Sequence, residues 1–314
     1  MDWKIYPWGE EKLQPMLQRV NEKKQRLQEL RPIPSIALEK LRESMMLEWT
    51  YHSNAIEGNT ITLQETRIIL SDGITVGGKT LREHFETLNH HEAISRLEGM
   101  VKASYQLSAS DIMTIHALVL QRIEKDFAGR YRNAGVRISG ANFTPPNALK
   151  VDGLMEELIA WVNEKSNLPI IVKAAIFHHR MAWIHPFFDG NGRTVRLMFN
   201  LLLMSAGYPP AIILQQDRKK YYDALNKANQ GNYEKWVLMV LQALERSLDI
   251  YLSHLDNSHD NYRPISGILK EMDVPYGQEY VSLLVRTGKI AGYKEGRNWL
   301  TTADAIEAYL AAMR

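Results

Sequence analysis

The sequence has no cysteine among its 314 residues. This absence excludes disulfide bonds, cysteine nucleophiles and thiolate metal sites. The chain also lacks any apolar run of about 18 residues, the length needed to cross a bilayer. Its first residues have neither the cationic flank nor the apolar core of an export signal. We therefore expect a cytoplasmic protein with no membrane partner.

An excess of charge of one sign is also missing. Lys and Arg total 38 and Asp and Glu total 36, a formal net charge of +2. This balance makes no general demand for nucleic acid or an acidic membrane as partner. No set of His, Asp and Glu has the spacing of zinc ligands. His84, His90 and His91 lie on or beside an apolar helical face and are interpreted as core-edge or solvated residues.

Residues 185–196 read HPFFDGNGRTVR and concentrate more chemistry than any other stretch. The apolar run before them, 170–184, has helical spacing and should end near His185, because a residue that precedes proline disfavours the helical conformation. Gly190 and Gly192 permit backbone angles closed to other residues, so the amide groups there can form an anion-binding nest. A second helix should start at about Gly192, which places the nest at a helix N-terminus, where anions are favoured.

The charged side chains of this stretch have complementary predicted roles. Arg193 and Arg196 share one face of the first helical turn and can reach a polyphosphate, against which Asp189 could hold Mg²⁺. His185 can accept a proton near neutral pH. The alternative is a glycine-rich loop between two core helices with arginines in surface salt bridges, but so many functional groups together favour the phosphate site. The nucleotide-binding candidates here are Asp189, Gly190, Asn191, Gly192, Arg193, Thr194 and Arg196.

The same stretch resembles the signature of the Fic family (filamentation induced by cyclic AMP), HPFxxGNGRxxR, at every fixed position. The resemblance covers residues 40–245 best and implies transfer of AMP from ATP to a hydroxyl side chain of a target protein. It implies that His185 is the base, that Asp189 holds Mg²⁺ between the α- and β-phosphates, and that the two arginines bind the β- and γ-phosphates. The amides of residues 190–192 would stabilise charge on the α-phosphate. Phe187 is expected to be a core anchor.

A second motif, SNAIEG, lies upstream at residues 53–58. Glu57 is expected to be the last side chain before a glycine C-cap, and a carboxylate at the negative end of a helix calls for a cationic partner. Arg193 or Arg196 would serve, and an ordinary surface glutamate is the alternative. The motif resembles the inhibitory [S/T]xxxE[G/N] motif of Fic proteins. This resemblance implies that Glu57 forms a bidentate pair with Arg196 and keeps it from the γ-phosphate.

Residues 131–146 predict a short β-hairpin, with a surface loop as the alternative. Their pattern VRIxGxxFxPP resembles the flap of Fic proteins. The resemblance implies that the flap lies over the active site and that an extended segment of the target protein pairs with it as an added strand. The candidate site residues of the flap are Val136, Arg137, Ile138 and Ser139.

A predicted helix near residue 225 contains Tyr221, Tyr222 and Asn229. Tyr222 and Asn229 are seven residues apart, which is two helical turns, and so share a face. From physical chemistry alone, a core-edge tyrosine and a surface asparagine are the favoured interpretation. The resemblance to Fic proteins implies instead that these residues contact the adenine and ribose of a nucleotide.

The end of the chain predicts a separate unit after a polar linker at 253–261. Helices are expected at 264–272 and 276–286, a two-stranded wing within 288–300 and a closing helix after it, an order similar to a winged helix-turn-helix. From Asn261 onward, seven Lys and Arg stand against six Asp and Glu. Because this charge is weak, protein docking or a homodimer is favoured over DNA binding.

Together these features predict an all-α fold with strands only in the flap and wing: an N-terminal helical region (1–80), a Fic catalytic core (81–252) and a winged-helix domain (261–314). The predicted function is an adenylyltransferase that uses ATP as co-substrate with Mg²⁺ and is autoinhibited by Glu57. Three alternatives stay open: removal of AMP from a modified target at the same site, transfer of another phosphate-containing group, and a DNA-binding regulator whose core senses nucleotide.

Overall fold

A computed structural model of the chain describes residues 7–30, 35–138, 143–255, 262–272, 274–295 and 297–312. These residues are predominantly helical, which confirms the predicted all-α class. Within them, no helix is both long enough and apolar enough to cross a membrane. The helices before the C-terminal unit are α1 (Glu10–Glu29), α2 (Ser35–Ile56), α3 (Leu63–Asp72), α4 (Leu81–Glu98), α5 (Ala109–Leu120), α6 (Val151–Asn163), α7 (Ile170–Ile184), α8 (Asn191–Ser205), α9 (Arg218–Asn229) and α10 (Glu234–Leu255).

Local sequence signals start several of these helices. Thr62, Thr80 and Ser108 each accept a hydrogen bond from the backbone N–H three residues later, and the acidic side chain at that later position bonds back to the capping residue. This reciprocal arrangement is a capping box, and it satisfies two amide groups that have no partner inside the helix. The starts of α3, α4 and α5 are therefore determined by residues close in sequence.

The two central helices of the core are α7 and α8, which pack against each other. Most side chains of both are buried, including Phe177 and Phe199 at 1% exposure or less. Trp236 of α10 packs beside them, and its indole N–H donates to the carbonyl of Ala175 at 2.7 Å. Burying an aromatic side chain of this size stabilises a fold by ~1.5–3 kcal/mol. The loop that joins α7 to α8 is thus held between two rigid helices.

The C-terminal unit has its own apolar cluster, formed by Ile265, Ile268, Val281, Leu284, Val285, Ile290 and Ile306. Its elements are β1 (Arg263–Pro264), α11 (Ile265–Glu271), α12 (Gln278–Arg286), β2 (Tyr293–Glu295), β3 (Asn298–Thr301) and α13 (Ala303–Ala312). The strands form an antiparallel sheet in the order β1-β3-β2. The helices and the two-stranded wing occur in the predicted order. Strand β1 was not predicted. Membership of the winged-helix class and the three domain boundaries stay predictions.

A polar cluster joins this unit to the helical core. Lys23 of α1 lies 3.3 Å from Glu245 and 2.5 Å from Asp249, both on α10, and donates to the hydroxyl of Tyr262 at 3.0 Å. Arg19 donates to the carbonyl of Gly288 at 2.7 Å. Much of the predicted linker, residues 256–261, lies outside the described residues, while α10 extends to Leu255.

Candidate active site

The loop of residues 185–190 connects α7 to α8. Helix α7 ends at Ile184, as predicted from the proline at position 186. His185 adopts a left-handed conformation with φ 53°, which is uncommon for a residue other than glycine. Gly190, with φ 72°, caps the N-terminus of α8. The side chain of Asn191 accepts from the backbone N–H of Phe187 and donates to its carbonyl, both at 2.9 Å. These two hydrogen bonds hold the loop in shape before any ligand binds.

The predicted core anchor, Phe187, is fully buried. Its ring stacks on the ring of His116 from α5, with centroids 3.5 Å apart and planes 6° from parallel. Nδ1 of His116 accepts from the backbone N–H of Gly129 at 2.9 Å, and Nε2 donates to the carbonyl of Asp189 at 3.0 Å. His116 therefore links the loop to α5 and to the segment before residue 131. The sequence analysis did not identify it, because on an apolar helix face it resembles any core histidine.

His185 has the protonation state expected of a base. Its Nδ1 donates to the carbonyl of Ala182 at 3.3 Å, so Nε2 carries the free lone pair. Burial disfavours the charged imidazolium and lowers the pKa of His185 below 6.5. The ring is therefore neutral at physiological pH and can accept a proton.

Arg132 is a buried residue that the sequence analysis missed, and it holds the end of α7. Its guanidinium donates to the carbonyls of Ile184 at 3.3 Å and His185 at 2.8 Å, and its backbone N–H donates to Pro186. Two further bonds reach Ala134 and Pro146, one on each arm of the flap. A helix end leaves carbonyls without partners. One side chain thus satisfies these groups and connects the flap to the residue that carries the candidate base.

The flap differs from the predicted hairpin. Its described parts, 131–138 and 143–146, contain no strand. Val136 and Ile138 are half-buried and Arg137 is exposed, while Ser139 lies outside the described residues. The described arms are held through the side chain of Arg132, and no ladder of backbone bonds joins them. The described arms therefore do not form the predicted pair of strands, while the roles of the four candidate residues stay predictions.

We expect replacement of Arg132 by methionine to destabilise the protein by ~1.5–3 kcal/mol, the usual contribution of hydrogen bonds to a charged group. The loss arises because buried carbonyls at the end of α7 lose their donor. The melting temperature measures it, and Arg130→Met, a change at an exposed neighbour, is the matched control. Equal melting temperatures for the two variants would contradict this role.

The predicted contact between Glu57 and Arg196 is present. Nη1 of Arg196 lies 2.7 Å from Oε1 of Glu57, and Arg196 is only 3% exposed. The guanidinium also donates to Ser53, to its hydroxyl at 3.0 Å and to its carbonyl at 2.7 Å. The serine and the glutamate of the SNAIEG motif thus bind the same arginine. The expectation of a bidentate carboxylate pair was wrong, because the second nitrogen of the fork is used by Ser53.

Gly192 has a different role from the one predicted. Its φ is not in the left-handed region, whereas that of Gly190 is. A Cβ atom at Gly192 would lie 2.1 Å from Oε1 of Glu57. A side chain at position 192 would therefore displace the Glu57 carboxylate from its place beside the backbone. In this arrangement that carboxylate stands in for an anionic ligand at the N-terminus of α8.

Asp189 and Arg193 belong to a second charged group, completed by residues of α4 that the sequence analysis did not identify. Arg193 is 3% exposed and lies 3.2 Å from Oε1 of Glu86, while its other nitrogen is 3.6 Å from Asp189. Asp189 forms an ion pair with Arg82 and accepts from the backbone N–H of Gly190 at 2.6 Å. Each predicted phosphate-binding arginine is thus neutralised by a glutamate. Arg82 and Glu86 are four residues apart on α4, a spacing that is common for charge pairs on solvated helix faces. The sequence therefore gave no indication that they contact Asp189 and Arg193.

The remaining candidates separate into half-buried and buried residues. Tyr222 is half-buried, with the guanidinium of Arg218 5.0 Å from its ring centre. Oδ1 of Asn229 accepts from Nε2 of His179 at 2.8 Å, so Asn229 is held at the end of α9. Tyr221 is 2% exposed and shares a hydrogen bond with His178, and Thr194 is fully buried. Tyr221 and Thr194 are thus buried in the core, and their roles toward a nucleotide stay predictions.

Burial also makes the protein sensitive to acid. It lowers the pKa of His52 and His116 to about 4 and that of His179 to about 3, and it keeps the pKa of His90 and His178 well below 6.5. Below pH 6.5 these histidines bind protons in the unfolded chain and stay neutral in the folded chain. Each of them therefore lowers the free energy of unfolding by about 1.4 kcal/mol per pH unit, from pH 6.5 down to its folded pKa. Asp249 has the opposite effect on stability. Burial raises its pKa to about 6, so the folded chain binds this proton more readily than the unfolded chain as the pH falls.

We therefore expect the free energy of unfolding to fall by several kcal/mol between pH 6.5 and pH 5. Urea denaturation at a series of pH values measures this change. His116→Gln should make the fall less steep, because one of the titrating groups is absent. A stability that stays constant over this range would show that these histidines are not buried in neutral form.

Comparison with known proteins identifies the family of this chain. The Fic/DOC family model matches residues 106–203, which include His116, Arg132 and the whole loop. A solved structure of Fic-1 (aa134 - 508) from C. elegans has a TM-score of 0.70 and 32% identity, covering 78% of this chain and 73% of that one. The chain belongs to the Fic/DOC family. A Fic family protein from Desulfovibrio desulfuricans G20 has a TM-score of 0.63 at 27% identity, covering 82% and 78% of the two chains.

Curated members of the family extend this relationship. The Fic chain is 38% identical over 243 residues to "Protein adenylyltransferase Fic" of Nematostella vectensis, covering 76% of this chain and 56% of that protein. It is 36% identical to "Protein adenylyltransferase fic-1" of Caenorhabditis elegans, covering 72% of this chain and 45% of that protein. The chain thus spans about half the length of the curated relatives it matches. Glu57, Tyr222 and Asn229 lie outside the matched family model.

Proposed function

We propose that this Fic protein is a protein adenylyltransferase, which transfers AMP from ATP to a Ser, Thr or Tyr hydroxyl of a target protein. The observation that carries the proposal is geometric: His185, with its Nδ1 bonded to Ala182, begins the loop that leads into the N-terminus of α8, and two buried arginines lie on the first turns of that helix. The names of the curated relatives support the same activity.

The proposed reaction begins at His185. Its free Nε2 accepts the hydroxyl proton of the target residue as the oxygen attacks the α-phosphorus of ATP. The new bond joins that oxygen to the α-phosphorus, the bond to the β-phosphate bridging oxygen breaks, and pyrophosphate leaves. The hydrogen bond from Nδ1 to Ala182 maintains the tautomer that this step needs. The contacts of Arg132 hold the backbone of His185 in place.

The N-terminus of α8 is the proposed site of the phosphates. Its amide groups would stabilise charge on the α-phosphate, as anions are favoured at such an end. Arg196 and Arg193 would bind the γ- and β-phosphates once their present partners, Glu57 and Glu86, release them. We infer that Glu57 inhibits the enzyme, since its carboxylate occupies the region that these phosphates need. Tyr222 and Asn229 would contact the adenosine.

Asp189 is the proposed Mg²⁺ ligand. Its side chain is 41% exposed, so it can reach a metal that also binds phosphate oxygens. Magnesium is commonly held by one or two carboxylates together with substrate phosphates. The described residues contain no group of three or more His, Asp or Glu side chains suited to a metal, and a single carboxylate beside a phosphate site fits this mode of binding. The metal would neutralise charge on the phosphates.

We expect Asp189→Asn to raise the Mg²⁺ concentration needed for half-maximal AMP transfer by roughly tenfold, a change of about 1.4 kcal/mol. A neutral amide binds the cation less strongly than a carboxylate does. Transfer rates over a Mg²⁺ titration measure this change, with Asp126→Asn at an exposed position as control. An unchanged Mg²⁺ requirement would assign the metal to another ligand.

The target protein is proposed to dock on the flap, residues 131–146, by adding an extended segment beside it. One alternative activity shares the site. Glu57 could orient a water molecule, so removal of AMP from a modified target is a second candidate activity. DNA binding through the C-terminal unit is not favoured, because Arg286 is the one cation among the exposed residues of α12 and Glu279 opposes its charge. Homodimer formation stays a prediction.

Labelling with radioactive ATP tests the proposed activity. The purified protein is incubated with Mg²⁺ and ATP labelled at either the α- or the γ-phosphate, with and without cell lysate. Protein labelled from α-phosphate alone, together with a mass increase of one AMP group, supports the proposal. Label from the γ-phosphate would indicate a kinase, and loss of AMP from a pre-modified peptide would indicate the reverse activity. Parallel reactions with other nucleoside triphosphates identify the transferred group.

A further inference from the structure

A cavity of about 350 Å³ lies between the helical core and the C-terminal unit. Residues 212–214, α9 and α10 line it from the core, and Arg286, Lys294 and Trp299 line it from the C-terminal unit. Its volume is within the range of small-molecule sites. None of the residues assigned to AMP transfer lines this cavity.

The lining combines an apolar surface with an aromatic ring. Ile212, Leu214, Leu238 and Met239 contribute from the core. The half-buried ring of Trp299 faces the same space from β3. Sites for organic ligands are mostly apolar and contain a few placed polar groups, and this lining has that character.

Positive charge predominates among the charged residues of the cavity. Asp217 lies 3.2 Å from both Lys220 and Lys294, so one carboxylate is shared between two ammonium groups. Asp223 is the other acidic residue of the lining. The cationic residues are Lys220, Lys235, Arg246, Arg286 and Lys294. The cavity therefore has a cationic surplus, which favours an anion.

Arg246 is a buried cation of the cavity lining. It is 7% exposed and donates through Nη2 to Glu48 at 2.6 Å. Its Nε and Nη1 are buried and, among the described residues, have no hydrogen-bond partner. Because these two atoms have almost no accessible surface, a ligand in the cavity does not reach them, and Arg246 contributes only its positive charge to the wall of the cavity.

We propose that this cavity binds a small organic anion, a flat apolar ring that carries a phosphate or carboxylate group. The ring packs between Trp299 and the apolar residues of α10, and the anionic group faces Lys220, Lys235 and Lys294. Because residues of both units line the cavity, the bound ligand stabilises the docking of the C-terminal unit on the core.

Calorimetric titration of the full chain with 1-naphthyl phosphate tests the proposal. This probe has both required parts, and 1-naphthol and inorganic phosphate each have only one. We expect the probe to bind at least roughly tenfold more tightly than either comparator, a difference of about 1.4 kcal/mol. No binding at millimolar concentration, or equal binding of 1-naphthol, would overturn the proposal.

Variants locate the binding. Lys235 and Arg286 are exposed, so the double variant Lys235→Gln, Arg286→Gln should fold normally and bind the probe about tenfold more weakly. Trp299→Leu should also weaken binding without changing the charge. The matched control removes two exposed cations elsewhere, Arg96→Gln with Lys102→Gln. Unchanged affinity in both cavity variants would place the probe at another site, such as the loop at α8, and refute the assignment.

Discussion

Replacing His185 by alanine is expected to slow AMP transfer by ~10²- to 10⁴-fold, the usual contribution of a positioned general base. The imidazole acts in the chemical step and makes little contact with ATP, so the affinity for ATP should stay close to that of the unchanged protein. The rate is measured with α-labelled ATP in a Glu57→Gly background, where inhibition is absent. The control is His254→Ala, a change at an exposed histidine of α10.

The pH dependence gives a second measurement of the same role. Burial lowers the pKa of His185 below 6.5, so the base is already neutral at pH 7 and its protonation should reduce the rate only at lower pH. The His185→Ala variant should lack this fall in rate at low pH. A folded His185→Ala protein that transferred AMP at the unchanged rate would show that another group accepts the proton.

Replacing Glu57 by glycine is expected to raise the rate of AMP transfer by roughly one to two orders of magnitude. The carboxylate lies 2.7 Å from Nη1 of Arg196 and against the backbone of Gly192, in the proposed phosphate site. A hydrogen-bonded contact with a charged group contributes ~1.5–3 kcal/mol, and about 1.4 kcal/mol corresponds to a factor of ten in rate. The rate at which the protein itself or a target is labelled with AMP measures this release from inhibition.

Three further variants separate the causes of this effect. Glu57→Gln keeps the size of the side chain and removes its charge, so activation by this change would assign inhibition to the ion pair. Arg196→Ala should lower the rate even in the Glu57→Gly background, because this variant lacks the arginine proposed to bind the γ-phosphate. Glu86→Gln is the matched change at the carboxylate that pairs with Arg193. If Glu57→Gly labelled no faster than the unchanged protein, Glu57 would be an ordinary residue at a helix end.

The two predicted tyrosines show why part of the site could not be read from spacing. Tyr221 and Tyr222 are adjacent on α9, so they point about 100° apart around the helix. Which of them faces the core depends on how α9 packs against α7 and α10. In the structure Tyr221 contacts His178 and Trp236, and Tyr222 stays half-exposed. The sequence placed both on one helix and could not choose between them.

The sequence by itself determined the local features of this protein. The end of α7 before Pro186, the glycine cap of α8 and the helix end before Gly58 each depend on the backbone preferences of a few neighbouring residues. The all-α class follows from apolar spacing of the same short range.

Apart from the Glu57–Arg196 contact, which the motif predicted, only the tertiary structure decided which charged groups meet. Ser53 binds Arg196 across 143 positions of sequence, and Arg82 pairs with Asp189 across 107. Arg132 satisfies the end of a helix that lies 52 positions away. A side chain that finds its partner at such a distance carries no periodicity or spacing that marks the pair. Contacts of this kind depend on how the helices pack, because packing alone brings these distant groups into reach.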